Sequence, residues 1–408
     1  MTTDFTKSAI AEAQQFLHDH WHPDIDRRAW RGLVIDNNWT ALRWPSQWFG
    51  RDLDDATAKV IEALFAEVGA PGPGQDKFNL WAGTLIAYGS DELKSALLRP
   101  LLVDSVAMCL LYSEPNAGSD LAGIRTTAVN DGDEWVVNGQ KVWTSGAHGA
   151  EFGMLIARTD WDVPKHAGIT FFFLPMHQPG VEVRPLRQIT GDSRFNEVFI
   201  TNARVPDANR LGEAGAGWRV LQTALAYERA VMGVAARRRS PSESTQNLAA
   251  AEPVGATAAA HGAIPTPDLS LVEMARAVGK AHDLMTRQHL ARLHTLRVVN
   301  QWNSERGQAE TKAGGSSPVA SLGKLAMSIM LHYAGHVQAV LLGMEATLDG
   351  HREPRARDHN YSQMNAYFTS IGGGTDQIQR NIIGERLLGL PREPEPDRGV
   401  AFKDVPAQ

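Results

Sequence analysis

Residues 112–146, YSEPNAGSDLAGIRTTAVNDGDEWVVNGQKVWTSG, decide the reading of this chain. The first half is a small-residue loop, with Ser113 before the turn Pro115-Asn116-Ala117-Gly118 and Ser119 after it. The second half reads as a β-meander turned at Asp131-Gly132 and Asn138-Gly139, dipeptides that supply the positive φ of tight hairpins. A strand over 140–144 is expected to bring Trp143, Thr144 and Ser145 to one end of that sheet.

Outward from this stretch, hydrophobic periodicity separates three regions. Residues 1–108 read as helices, with Ile10, Ala13 and Leu17 and then the stretch 56–68 apolar at helical spacing. The segment 42–50, LRWPSQWFG, reads as a loop that packs its aromatics on the next layer. Residues 109–213 switch to period-two alternation with Gly, Pro and Asn-Gly punctuation, which argues for a middle β domain. Within it 169–174 and 180–187 read as buried strands. From Gly217 helical spacing returns, and residues 214–408 read as a helical bundle. It is interrupted at 238–267 by a Ser-, Ala- and Pro-rich stretch too poor in large apolar residues to build a core, read as a mobile insertion. Helices, then strands, then helices give an α+β, mainly α chain and argue against a doubly wound sheet. No strand–GxGxxG–helix unit occurs, so any dinucleotide is held another way.

At 408 residues the chain exceeds one ordinary core. A net charge of −6 carries no footprint for nucleic acid or an anionic membrane. The single cysteine, Cys109, excludes an intrachain disulfide and a cysteine-based zinc site, and its apolar surroundings (106–111) favour packing over nucleophilic use. No metal site is read. No apolar run reaches the roughly 20 residues of a membrane span. The N-terminus lacks the basic start and apolar core of a signal peptide, so cytoplasmic residence is the expectation.

Two segments outside the opening stretch carry candidate chemistry. In the helix beginning at Trp218, the apolar face is Trp218, Leu221, Leu225 and Met232, and Glu228 falls on that face, three residues after Leu225 and four before Met232. Burial raises the pKa of such a carboxylate and suits it to removing a weakly acidic carbon-bound proton. The alternative is a structural pair with an arginine on a neighbouring helix. Arg229 points about 100° away and is no automatic partner. The second segment is Ile371-Gly372-Gly373-Gly374-Thr375-Asp376-Gln377. Its glycines allow close backbone approach, and Thr375 reads as the N-cap of a helix ending near Gly389-Leu390-Pro391.

Taken together, SEPNAGSDLAGI, NGQKVWTSG, FNEVFITNARVP and GGGTDQIQRNIIGERLLGLP resemble the acyl-CoA dehydrogenases over nearly the whole chain, the insertion excepted. The resemblance implies a helical N-terminal domain, a β-barrel-like middle domain and a C-terminal four-helix bundle, with FAD lying between the last two and partly across a subunit interface. It further implies that Leu110, Tyr112 and Ser113 line the flavin ring, that Gly118 and Ser119 meet the pyrophosphate, and that Trp143 covers the flavin. Thr144 and Ser145 would lie near N5 and O4, and Thr375 and Gln377 would touch FAD. Arg297 would reach a partner's FAD, while Arg229 and Ser119 would contact the acyl-CoA.

Two departures from the common family pattern bear on mechanism. Gly373 occupies the position where many members carry the base, whereas a subclass similar to isovaleryl- and long-chain acyl-CoA dehydrogenases places a glutamate as in Tyr227-Glu228-Arg229. Residues 341–345, LLGME, retain only part of a glycine-rich segment that commonly touches the partner's FAD, a look shared with actinobacterial steroid-side-chain dehydrogenases. The implied activity is FAD-dependent α,β-dehydrogenation of an acyl-CoA to a trans-2-enoyl-CoA. Glu228 is the base, flavin N5 the hydride acceptor, and the Gly373 amide a donor to the thioester carbonyl. Electron-transfer flavoprotein and a homo- or hetero-oligomer, a dimer of dimers, are the implied partners. The alternatives are an acyl-CoA oxidase using oxygen and one supporting chain of a hetero-oligomeric dehydrogenase.

Overall fold

The computed structural model describes residues 2–237, 270–312 and 319–406. Six helices come first: α1 (Thr2–His20), α2 (Arg27–Asp36), α3 (Asp55–Glu67), α4 (Gln75–Phe78), α5 (Leu80–Tyr88) and α6 (Asp91–Leu102). Their starts follow capping chemistry: Asp26, Asp54, Asn79 and Ser90 each accept a first-turn amide with a side-chain oxygen. An aromatic core around Phe16, Trp30, Trp39 and Phe65 holds the outer helices together.

Eight strands follow: β1 (Met108–Leu111), β2 (Thr127–Asp131), β3 (Glu134–Ser145), β4 (Phe152–Arg158), β5 (Ile169–Pro175), β6 (Val181–Leu186), β7 (Phe195–Pro206) and β8 (Arg210–Leu211). They form one sheet in the order β6-β7-β3-β2-β4-β5-β8, with β1 added parallel to β4. Alternation sorts β4 and β5 between two cores. Met154, Ile156, Phe171 and Phe173 face the helices, and Leu155, Ala157, Phe172 and Leu174 face the sheet's own interior. Both faces are covered, which is why 169–174 reads as an unbroken apolar run.

Two sequence readings of this region are corrected. Asp131-Gly132 does turn β2 into β3, with Gly132 at φ 78°. Asn138-Gly139, however, lies inside β3 at a register shift against β7, where Asn138 Oδ1 accepts the Asn202 amide at 2.8 Å. Gly139 is there for closeness: a Cβ would lie 2.3 Å from Thr126 Oγ1. The segment 180–187 contains β6, which is a half-exposed edge strand, not a buried one.

The bundle comprises α7 (Gly217–Arg237), α8 (Ser270–Ala277), α9 (Leu284–Lys312), α10 (Val319–Leu342), α11 (Pro354–Ile371) and α12 (Asp376–Ile382), the last continuing as a π-turn over Ile383–Leu387. The proposed insertion at 238–267 lies outside the described residues, as do the side chains of Arg229 and Met232. The expectation about apolar runs needs a qualification: among the described residues, Leu322–Thr347 is long and apolar enough to span a membrane by length and composition. In the fold, α10 packs against α9, α11 and α12, and turns Ala334, Val337 and Leu341 into the bundle core. α7 sets its Val220, Leu221 and Ala224 into the same core as α5 and the sheet. Gly83 of α5 fixes the closeness there, since a Cβ would sit 2.5 Å from Tyr227 Cζ. Tyr227 therefore lies flat against α5, which sets the rotation of α7 and the direction of its neighbour Glu228.

Candidate active site

The loop after β1 is tied down at both ends and again in its later part, where the buried Arg158 donates to Ala122 O at 2.7 Å and to Ile124 O at 3.1 Å. Pro115, Asn116 and residues 118–120 stay exposed. Val142 of β3 donates to Ser113 O at 2.9 Å, and Glu114 and Ala117 exchange backbone bonds around Pro115-Asn116. Glu114 then accepts the amides of Arg125 (2.7 Å) and Thr126 (3.0 Å), closing the loop. Gly118 and Ser119 are exposed between these ties, and a Cβ built on Gly118 would meet nothing within 4 Å. Leu110 is partly buried against the core shared with α7.

At the end of β3 the register against β7 shifts between Lys141 and Thr144. Trp143 occupies this bulge at φ 62°, a conformation costly for a bulky residue, with its side chain 56% exposed. Its ring meets Phe195 edge-on at 6.0 Å, and Phe195 meets Phe368 of α11 at 5.7 Å. Thr144 is buried, and its Oγ1 has no hydrogen-bond partner. Ser145 is half-buried and pairs with Phe195.

The glycine loop hangs from the same aromatic chain. Gly372 N donates to Phe368 O at 2.7 Å, and Gly373 and Gly374 follow at φ 66° and 87°. Thr375 caps α12 as expected, accepting the Ile378 amide at 3.1 Å. Asp376 is bonded by Ser328 at 2.8 Å, and Gln377 is exposed. A further tie between sheet and bundle is Tyr361 Oη donating to Asp192 at 2.8 Å. Trp143 and the Gly373 loop, distant in sequence, are thus joined by three rings.

Glu228 is half-buried on α7. Its charge acts on the phenol of Tyr112, whose pKa is pushed well up by burial first and by Glu228 second. The base candidate and the start of the loop are therefore within electrostatic reach of each other. Arg297 is half-buried on α9, which packs on α10 rather than on the sheet. Gly343, in the 341–345 segment, has φ 60°, and Met344 beside it is almost fully exposed. Cys109 is buried, and burial pushes its thiol far above the ordinary value, so it is chemically quiet.

Sequence reasoning missed three contributors. Lys141 is wholly buried and donates to Glu114 (2.8 Å) and to Tyr112 O (3.1 Å). Phe195 and Phe368 build the aromatic bridge. The signal available for the first was a lysine inside a strand with apolar neighbours; for the rings there was none, because their meeting depends on how α11 docks.

The exposed stretch at Gly118 and Ser119, the indole held in a strained bulge and the positive-φ glycine loop thus meet where the sheet joins the bundle. The family is shown by comparison with known proteins. The acyl-CoA dehydrogenase middle-domain family matches residues 109–203, and the C-terminal-domain family matches residues 215–388. Acyl-CoA dehydrogenase IpdE1 of Mycolicibacterium smegmatis is 35% identical over 390 residues, covering 90% of this chain and 89% of that protein. Acyl-CoA dehydrogenase FadE34 of Mycobacterium tuberculosis is 36% identical over 363 residues, covering 88% of this chain and 46% of that protein. Among solved structures, the ChsE4-ChsE5 complex from Mycobacterium tuberculosis superposes with a TM-score of 0.61 at 28% identity, over 96% of this chain and 98% of that one. The chain belongs to the acyl-CoA dehydrogenase family, whose members are FAD-dependent oxidoreductases. The residues present fit that cofactor: Thr144 Oγ1 awaits an acceptor or donor, and Trp143 offers an aromatic face.

Proposed function

We propose that Glu228 is the base of an acyl-CoA α,β-dehydrogenation carried out at the junction of sheet and bundle. What supports this is that Glu228, half-buried on α7 among the residues packed on the core that also holds Tyr112, couples electrostatically to the Tyr112 phenol at the start of the loop that would hold the flavin. The carboxylate takes the α-proton. FAD, when bound, supplies the acceptor for the hydride leaving the β-carbon, and the substrate becomes the trans-2-enoyl thioester. The α-proton becomes acidic enough only if the thioester carbonyl is hydrogen-bonded, and the amide of Gly373, presented at positive φ, is the proposed donor. Gly118 and Ser119 would meet the pyrophosphate, Leu110, Tyr112 and Ser113 the ring, and Thr144, Ser145, Thr375 and Gln377 its polar edge. Arg229 and Ser119 would hold the acyl-CoA. Residues 1–108, 109–213 and 214–408 act as three units around this site.

Assembly with a second chain, identical or not, is part of the proposal. The bundle side carries the exposed apolar residues Leu284, Met285, Trp302, Met344, Tyr367 and Ile371. A relative of known structure is a complex of two differently named chains. Arg297 and the 341–345 segment are the candidates for reaching a partner's FAD. The proposed electron acceptor is an electron-transfer flavoprotein; hydrogen peroxide formed in step with turnover would favour oxygen instead.

The test is anaerobic mixing of the yellow protein with short, long, branched and steroid-side-chain acyl-CoAs. Bleaching of the flavin with loss of two hydrogens from one class supports the reading and names the substrate class. No bleaching by any of them, with FAD bound, overturns it.

A further inference from the structure

We infer that the buried Glu114–Lys141 pair is a positioning device for FAD, setting the loop 115–124, with its exposed Gly118 and Ser119, and the Trp143 bulge in register with one another. The inference rests on the placement of FAD against these segments proposed above. Lys141 is fully shielded from water, and Glu114 nearly so. A buried ion pair is weak as a source of stability, because desolvation offsets the attraction and an apolar pair often serves the fold as well. What distinguishes this pair is where its bonds go. Lys141 Nζ reaches Tyr112 O at 3.1 Å and Glu114 Oε1 at 2.8 Å. Glu114 accepts Thr126 N on the same oxygen at 3.0 Å and Arg125 N on the other at 2.7 Å. Every partner is an end of the loop.

The other end of the lever is β3. Lys141 is followed by Val142, whose amide holds Ser113 O at 2.9 Å, and then by Trp143 at the bulge. One ammonium thus connects the segment offering Gly118 and Ser119 with the segment offering Trp143, Thr144 and Ser145. A hydrophobic replacement could fill the space but could not bond three backbone positions at once. Charge also matters to the pair's state. Burial alone would raise the Glu114 carboxyl, but Lys141 and the two amides outweigh it and hold it below its ordinary value. Glu114 and Lys141 contact no proposed reacting atom; they act through the loop, as positioning residues.

The test compares three holoenzyme variants, Lys141→Met, Glu114→Gln and the double variant. Release of FAD after dilution is read from the rise of free-flavin fluorescence, and the fold from thermal melting followed by circular dichroism. Lys141→Met leaves a buried carboxylate without its counter-ion, so both melting and FAD retention should fall. In the double variant the pair's own charges are both gone and only the Arg158 guanidinium, bonded to Ala122 O and Ile124 O, stays buried nearby. Melting should therefore recover, while FAD should still leave about ten-fold faster or more, the size seen for outer supports of a bound group. Recovery of FAD retention together with melting would overturn the inference, because the pair would then be serving the fold alone. If Lys141→Met does not fold, the double variant decides by itself. Ser119→Ala and Trp143→Gly are measured alongside. Unchanged FAD retention in both would overturn the placement of FAD itself, whereas faster release in both with normal retention in the double variant would overturn only the role of the pair.

Discussion

Trp143→Gly separates a side chain kept for the fold from one kept for a ligand. A tryptophan side chain has about 250 Å² to bury, and Trp143 is 56% exposed. Roughly 110 Å² is therefore covered, worth about 2–3 kcal/mol at ~25 cal/mol per Å². Its φ of 62° works in the other direction. Glycine relieves about 1–2 kcal/mol of left-handed strain and gives back about 0.5–1 kcal/mol through its freer unfolded chain. The net cost to the fold is then about 2 kcal/mol, against about 3–5 kcal/mol for truncating a core tryptophan such as Trp30. If flavin covers one face of the exposed ring, about 70 Å² of further burial plus an aromatic-pair contribution amounts to about 2–3 kcal/mol. That corresponds to roughly 30- to 150-fold weaker binding. Chemical denaturation gives the first quantity, and FAD titration followed by flavin fluorescence gives the second. FAD affinity within about three-fold of wild type, or a stability loss as large as for Trp30→Ala, would refute the argument that this bulge exists for the cofactor.

Other consequences follow from particular contacts. Because the folded-state pKa of Glu114 is depressed, the stability it contributes is complete above its ordinary value of 4.5 and is lost as pH falls through the depressed value. Acid melting should therefore steepen below pH 4.5, and Glu114→Gln should flatten that limb; equal slopes in the two proteins would contradict the assignment. Cys109 should resist thiol reagents in the native protein and react on unfolding, as mass-spectrometric labelling would reveal. Gly373→Ala places a Cβ at φ 66° and should cost about 1–2 kcal/mol locally, lowering kcat more than it raises KM. Phe402 is buried with the Arg158 guanidinium 3.6 Å from its ring centroid, so Phe402→Ala should destabilise the fold by about 3–5 kcal/mol in a denaturant melt.

Much of the architecture was legible because periodicity reports burial. The apolar run in β5 and the stripe on α7 both correspond to faces now seen in cores. Asn138-Gly139 misled because the same dipeptide serves a turn or a close backbone approach, and only the proximity of Thr126 tells which. β6 misled because its alternation could not say that nothing covers its outer side. Around the candidate site, the placement of Trp143 near the end of β3 and of Thr375 as a helix cap was readable from local motifs. The Glu114–Lys141 pair and the Trp143–Phe195–Phe368 bridge were not, since each depends on contacts between segments far apart in the chain. Glu228 could be placed on an apolar stripe, but its electrostatic coupling to Tyr112 depends on how α7 docks on the sheet.

The assignment of Glu228 as base is tested most directly by anaerobic rapid mixing of Glu228→Gln with the acyl-CoA that bleaches the wild-type flavin fastest. Glutamine preserves shape and should leave FAD bound at full stoichiometry. Loss of a general base should slow bleaching by about 10²- to 10⁴-fold. Bleaching within about ten-fold of the wild-type rate, with FAD and substrate bound, would contradict the account and move the base elsewhere.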